Sequence, residues 1–185
     1  MRCQHRRMGE APPLYVVTGI MAAGKSSVAQ ALAERLPRSV HVRGDSFRTS
    51  IVNGRAEMTL ELSAEARAQL DLRYELAADV ACRYARAGFA VLLQDVILGA
   101  DLPAMVRRIT ARPLHLVVLA PSPAAVAARE AGRGKTAYGR MTPEQLDAAF
   151  RADTPRLGLW LDTTTLGVDE TVDHILDHPE RSLLD

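Results

Sequence analysis

The segment Gly19-Ile20-Met21-Ala22-Ala23-Gly24-Lys25-Ser26 satisfies G-x-x-x-x-G-K-[ST] at every fixed position, and its flanks decide what it can fold into. Upstream, Leu14-Tyr15-Val16-Val17-Thr18 is an apolar, β-branched run of strand length, bounded by Pro12-Pro13 and Gly19, which predicts a buried parallel strand. Downstream, Val28, Leu32 and Leu36 recur at i, i+4, i+8 among alanines and stop before Pro37, which predicts a helix starting inside the loop. A strand, a glycine-rich turn and a helix N-terminus, in that order, point backbone amides inward and add a partial positive charge, an arrangement that binds phosphate. The cradle is expected to run from Gly19 through Ile20, Met21, Ala22, Ala23, Gly24, Lys25 and Ser26 to Ser27. Lys25 should reach the β- and γ-phosphates of a nucleoside triphosphate, ATP, and Ser26 should ligate Mg2+.

The remaining pattern alternates strands with helices. Val40-His41-Val42 is a short strand candidate; Ser63 to Ala87 reads as a helix with Leu70, Tyr74, Ala77, Ala81 and Tyr84 on one face, ended by Gly88. Strands are predicted at Phe89–Leu93, Leu114–Leu119 and Leu157–Leu161, and helices near Leu102–Thr110, from Pro123, from the capping box Thr142-Pro143-Glu144-Gln145, and over Val168–Leu176. Continuous apolar strands imply a sheet covered on both faces, so the predicted fold is α/β, a doubly wound five-stranded parallel sheet, with one domain over 13–185, a short basic lid near 130–141, and a disordered leader over 1–12 in which Met8 is an alternative start. Ligands of such sheets bind beyond the carboxyl ends of the strands, where the Gly19–Ser26 loop, Asp45 and Asp95 are all expected to meet.

Charge and cysteine usage exclude several functions. A formal net charge of +1 with acids and bases interspersed gives no general attraction for nucleic acid, which favours a small-molecule partner. No apolar run is long enough for a signal peptide or a membrane span, so a cytoplasmic protein without membrane contact is expected. Cys3 and Cys82 imply no disulfide framework. The pair His174 and His178 has metal-like i, i+4 spacing but no third ligand nearby, and reads as a solvated helix end.

Phosphoryl transfer needs positioning, charge neutralisation and a group that orients the acceptor. Asp45, just past the second strand and after Gly44, is the candidate for that last role, although the position also suits a cap of the following helix, as does Ser46. Arg48, one turn on, is a candidate to steady substrate or phosphate. Asp95 ends an apolar strand, where an acid holds magnesium through water, touches the substrate, or simply makes a turn. Arg129 and Arg133 are placed to close over the triphosphate as a lid would and to offset charge in the transition state, and spacing does not choose between them.

The loop Gly19 to Ser26, the pair Asp45-Ser46, the run Ala87-Gly88-Phe89-Ala90-Val91-Leu92-Leu93-Gln94-Asp95-Val96-Ile97-Leu98-Gly99 and the segment Leu161-Asp162-Thr163-Thr164 together resemble the chloramphenicol phosphotransferase-like P-loop kinases. That family is related more distantly to adenylylsulfate, gluconate and shikimate kinases. The resemblance implies a P-loop kinase fold and an ATP- and magnesium-dependent transfer of the γ-phosphoryl group to a small-molecule hydroxyl, an antibiotic among the candidate acceptors. It implies that Asp45 acts as base, that Lys25 and Ser26 serve the nucleotide and metal, and that the family's lid arginine carries onto Arg129 and Arg133. Two other readings keep the same loop: a switch or ligand-sequestering protein without transfer, disfavoured by the lack of an Asn-Lys-x-Asp run, and a kinase of polynucleotide ends, which would need a basic channel. A monomer and a homodimer are both compatible with the alanine-rich helices.

Overall fold

The computed structural model describes residues 11–59, 61–131 and 142–184. Five strands, β1 (Leu14–Thr18), β2 (Ser39–Arg43), β3 (Ala90–Gln94), β4 (Leu114–Leu119) and β5 (Leu159–Leu161), run parallel in the order β2-β3-β1-β4-β5. Every residue of β1, β3 and β4 is buried, as their predominantly apolar, non-alternating sequences require of strands covered on both faces. β2 lies at an edge and is only half-buried over most of its length.

The connecting elements are α1 (Lys25–Glu34), α2 (Asp45–Thr49), α3 (Ala64–Arg86), α4 (Asp101–Arg108), α5 (Pro123–Ala131), α6 (Pro143–Asp153), α7 (Val168–Asp177) and α8 (Pro179–Ser182). The Ser63 hydroxyl caps α3 by accepting from the Ala66 amide, and Thr142 with Gln145 forms the capping box read from the sequence. One departure from the expected architecture is local: Leu183–Leu184 adds a sixth strand, β6, antiparallel to β4 at Leu114 and His115. A two-residue strand has no periodicity to detect, so nothing in the sequence announced it.

In-phase pairing across β2, β3 and β1 aligns Arg43 with Gln94 and Gln94 with Val17, so the loops after these strands start from one rim. Among the described residues no helix is long and apolar enough to cross a membrane. Cys82 is buried and free, and Cys3, Met8, Arg133 and most of the expected leader and lid lie outside the described residues.

Candidate functional site

The loop after β1 is built by close packing. Gly19, at φ +142°, passes so near β4 that a Cβ there would stand 2.4 Å from the Leu119 carbonyl oxygen. Ala22 takes φ +58° and Gly24 turns the chain into α1, whose first helical bond runs from the Val28 amide to the Gly24 carbonyl. The amides of Ser26 and Ser27 precede that bond, at the end of a helix where anions are favoured. Lys25 is buried at the loop's inner side and donates to the Ile20 carbonyl at 2.7 Å.

Gln94 and Asp95 part company at the end of β3. Alternation along the pleat sends Gln94 toward α1, where it accepts a 3.0 Å hydrogen bond from the Ser26 hydroxyl. Asp95 turns the other way, toward α3, and is fully buried. There Arg73 grips it through two hydrogen bonds, Nε to Oδ2 at 2.8 Å and a close contact to Oδ1, and the Val96 amide donates to Oδ1 at 2.7 Å. Burial pushes the Asp95 carboxyl up, against the pull of the Arg73 guanidinium, the Val96 amide and Lys25. The next residues are pinned as well: Tyr74 donates to the Val96 carbonyl at 2.8 Å, and Thr18 both donates to and accepts from the backbone of Ile97.

Gly44 shows how tightly the second strand's exit packs on this pair, since a Cβ at that position would fall 1.9 Å from Asp95 Oδ2. Asp45 follows immediately as the first residue of α2; it is exposed, and the cap position of that helix belongs to Gly44. Arg48 is directed to the chain beyond α2, donating to the Ala56 carbonyl at 3.0 Å, while Gln69 of α3 accepts from the Ala56 amide at 2.9 Å. The segment after α2 is therefore clamped between two helices, with Asp45 at its base.

On the other side of the loop, Arg129 of α5 donates to the carbonyls of Ala23 at 3.3 Å and Thr163 at 2.6 Å, which ties the phosphate cradle to the β5–α7 connection. That connection is shaped by Asp162, which accepts from both the amide and the hydroxyl of Thr164, and by the Ser122 amide donating to Thr164 Oγ1 at 2.8 Å. Between these parts lies a cleft of about 270 Å³ lined by Ala23, Gly24, Arg129, Thr163, Leu166 and Val168 among others. Thr163 is 2% exposed, and its hydroxyl has no hydrogen-bond partner.

The structure thus brings Lys25, Ser26, Asp45 and Arg129 to one rim, keeps Arg48 in α2 with its guanidinium on the loop beyond, and leaves Arg133 outside the described residues. Arg73, Gln94 and Thr163 were not singled out for roles in the sequence. Arg73 is one arginine in a long amphipathic helix, and its partner Asp95 lies 22 residues away, so no local signal linked the two. Among the described residues no group of three or more His, Cys, Asp or Glu side chains could hold a metal ion. Ser26 and Gln94 instead present two hard oxygen donors, which suit Mg2+, a cation that keeps most of its water and phosphate ligands.

No curated protein matches the chain in sequence. Among solved structures, a sugar kinase from Janibacter sp. HTCC2649 superposes with a TM-score of 0.66 at 17% identity, covering 92% of this chain and 95% of that one. The Deinococcus radiodurans tunicamycin resistance protein gives 0.65 at 16% identity over 94% and 99% of the two chains. The Mycobacterium tuberculosis APS kinase, in complex with AMPPNP and APS, gives 0.65 at 19% over 92% and 98%. These similarities establish the P-loop kinase-like α/β fold, and the sequence match over residues 14–154, more than half of the chain, shows that the chain belongs to the AAA domain family (AAA_33).

Proposed function

We propose that this protein is a phosphotransferase that uses ATP and Mg2+ to phosphorylate a hydroxyl group of a small molecule. The observation that carries the reading is the convergence on one rim of a phosphate cradle with Lys25 and Ser26, a cleft beside it for the nucleoside, and an exposed carboxylate, Asp45, across the end of β3. Lys25 and the loop amides hold the β- and γ-phosphates, and Ser26 with Gln94 holds the magnesium that offsets charge on them. Asp45 accepts the acceptor's hydroxyl proton as that oxygen bonds to the γ-phosphorus and the bond to the β–γ bridging oxygen breaks, so ADP leaves. Arg129, already against the cradle, stabilises the triphosphate, and Arg48 sets the loop that would shape the acceptor pocket.

Antibiotics, sugars and nucleosides are the acceptors to screen; similarity to a sugar kinase and to a tunicamycin resistance protein supports the first two. Phosphorylation of one of them by the wild type, lost by at least about a hundredfold in Asp45→Asn while ATP affinity stays within a few-fold, is the expected result. Undiminished turnover in Asp45→Asn would remove that residue from the chemistry. ATP hydrolysis without transfer to any hydroxyl would instead favour a nucleotide-driven switch.

A further inference from the structure

We infer that Gln94, and not Asp95, is the side chain that supports the metal, so that the end of β3 offers magnesium neutral oxygens only and the ion is captured through the nucleotide's own phosphates. The inference rests on the nucleotide-binding reading above. Its basis is the parting of two adjacent residues at the end of β3. Gln94 pairs in register with Val17 and Arg43, faces α1, is 5% exposed, and holds the Ser26 hydroxyl at 3.0 Å. In P-loop enzymes an acid commonly stands at this strand end and joins the loop serine or threonine in holding the metal. Here the acid has moved one residue along, and one residue along a strand is the opposite face of the sheet.

Asp95 cannot swing back. Both of its oxygens are engaged by Arg73, the Val96 amide adds a third donor, and Gly44 packs against Oδ2 with no room for a methyl group. To reach Ser26 it would have to leave Arg73 as a buried charge without its acid, a strongly destabilising change. Gln94 meanwhile has two roles available to an amide oxygen beside a serine hydroxyl: orienting Ser26 and accepting from a metal-bound water. A carboxylate there would attract a divalent cation before any nucleotide arrived; an amide does not. The consequence is ordered capture, with magnesium entering on the nucleotide.

The test is Mn2+ binding, followed by electron paramagnetic resonance on the full chain, with and without ADP, together with nucleotide binding in EDTA. The wild type is expected to bind no Mn2+ alone at concentrations that saturate its ADP complex. Gln94→Glu should bind Mn2+ without nucleotide and hold it at least tenfold more tightly in the ADP complex. Gln94→Met, nearly isosteric and uncharged, should lose Mn2+ affinity several-fold in the ADP complex while metal-free ADP affinity stays unchanged. Tight Mn2+ binding by the nucleotide-free wild type would overturn the inference. So would unchanged Mn2+ affinity in a folded Gln94→Met, with circular dichroism confirming the fold. Failure of the wild type to bind ADP in EDTA would overturn the nucleotide reading itself, and the inference with it, and is distinguishable because it appears before any metal is added.

Discussion

At the scale of single residues, the orphaned hydroxyl of Thr163 is the sharpest reporter of what the cleft binds. A buried hydroxyl without a partner costs roughly 1–3 kcal/mol, and this one belongs to a residue lining the cleft, where a bound ligand would pair with it. Replacing it with the near-isosteric valine should therefore act in opposite directions on two quantities. Thr163→Val should raise the stability of the free protein by up to about 1–2 kcal/mol, seen as a higher urea midpoint. It should also weaken ATP binding several-fold while leaving inorganic tripolyphosphate, which has no base, unaffected in the same calorimeter. Gly44 makes a second point at this scale. Gly44→Ala would drive a methyl group into Asp95 Oδ2, and since the obstacle is a carboxylate locked by Arg73 rather than a free side-chain tip, a loss of more than about 3 kcal/mol is expected in denaturant melts.

Among the elements, α3 organises the rim beyond β2 and β3. Its Arg73 and Tyr74 fix the chain after β3, its Gln69 holds the loop beyond α2, and its Arg67 spans Asp71 on the same helix and Asp101 at the start of α4. Of these, the Arg73–Asp95 pair is the buried one, and breaking it from one side strands a charge. Arg73→Met should destabilise by about 3–5 kcal/mol at neutral pH, and Arg73→Met/Asp95→Asn should recover part of that loss. The single variant also carries a pH signature. Burial already holds the Asp95 carboxyl above its unfolded value near 3.8, and losing the opposing Arg73 guanidinium raises it further, so the folded variant binds the extra proton over a wider range than the wild type. The variant's deficit relative to wild type should shrink as pH is lowered toward 4 and grow as pH rises through the folded-state pKa, as measured by denaturation at each pH.

For the molecule as a whole, acid sensitivity should come from two histidines far from one another. His115 of β4 stacks on Tyr15 at 4.5 Å between centroids, shares a 3.0 Å contact with the Ser182 hydroxyl of α8, and has its pKa lowered by burial. His41 of β2 is lowered by burial and by Arg43. Both are neutral in either state above about 6.5; below it the unfolded chain takes up protons that the folded chain resists, so stability should fall from pH 7 toward the lower folded-state values. His115→Gln should flatten that slope in denaturant titrations at pH 7 and 5.5, and its effect should center on the α8–β6 tail that His115 anchors to the sheet. The order of the main elements, the glycine-rich loop, the capping box at Thr142 and the positions of the five parallel strands were legible in the chain because each is a local matter: periodicity within a dozen residues, a turn that requires glycine, a hydroxyl three residues from an amide. The rim was legible too, since strand ends in a parallel sheet share one side. The division of labour on that rim was not. Gln94 and Asp95 are neighbours in sequence, and the choice between them for Ser26 was made by the pleat of β3 and by the packing of α1 and α3 on opposite faces of the sheet. Thr163 entered the cleft because Arg129, a partner 34 residues away, holds its carbonyl. The sequence by itself determined the main strands and helices and the glycine-rich loop between β1 and α1, because those depend on contacts within a few residues; only the tertiary structure decided β6 and which side chains face that loop, because those depend on contacts between segments far apart in the chain.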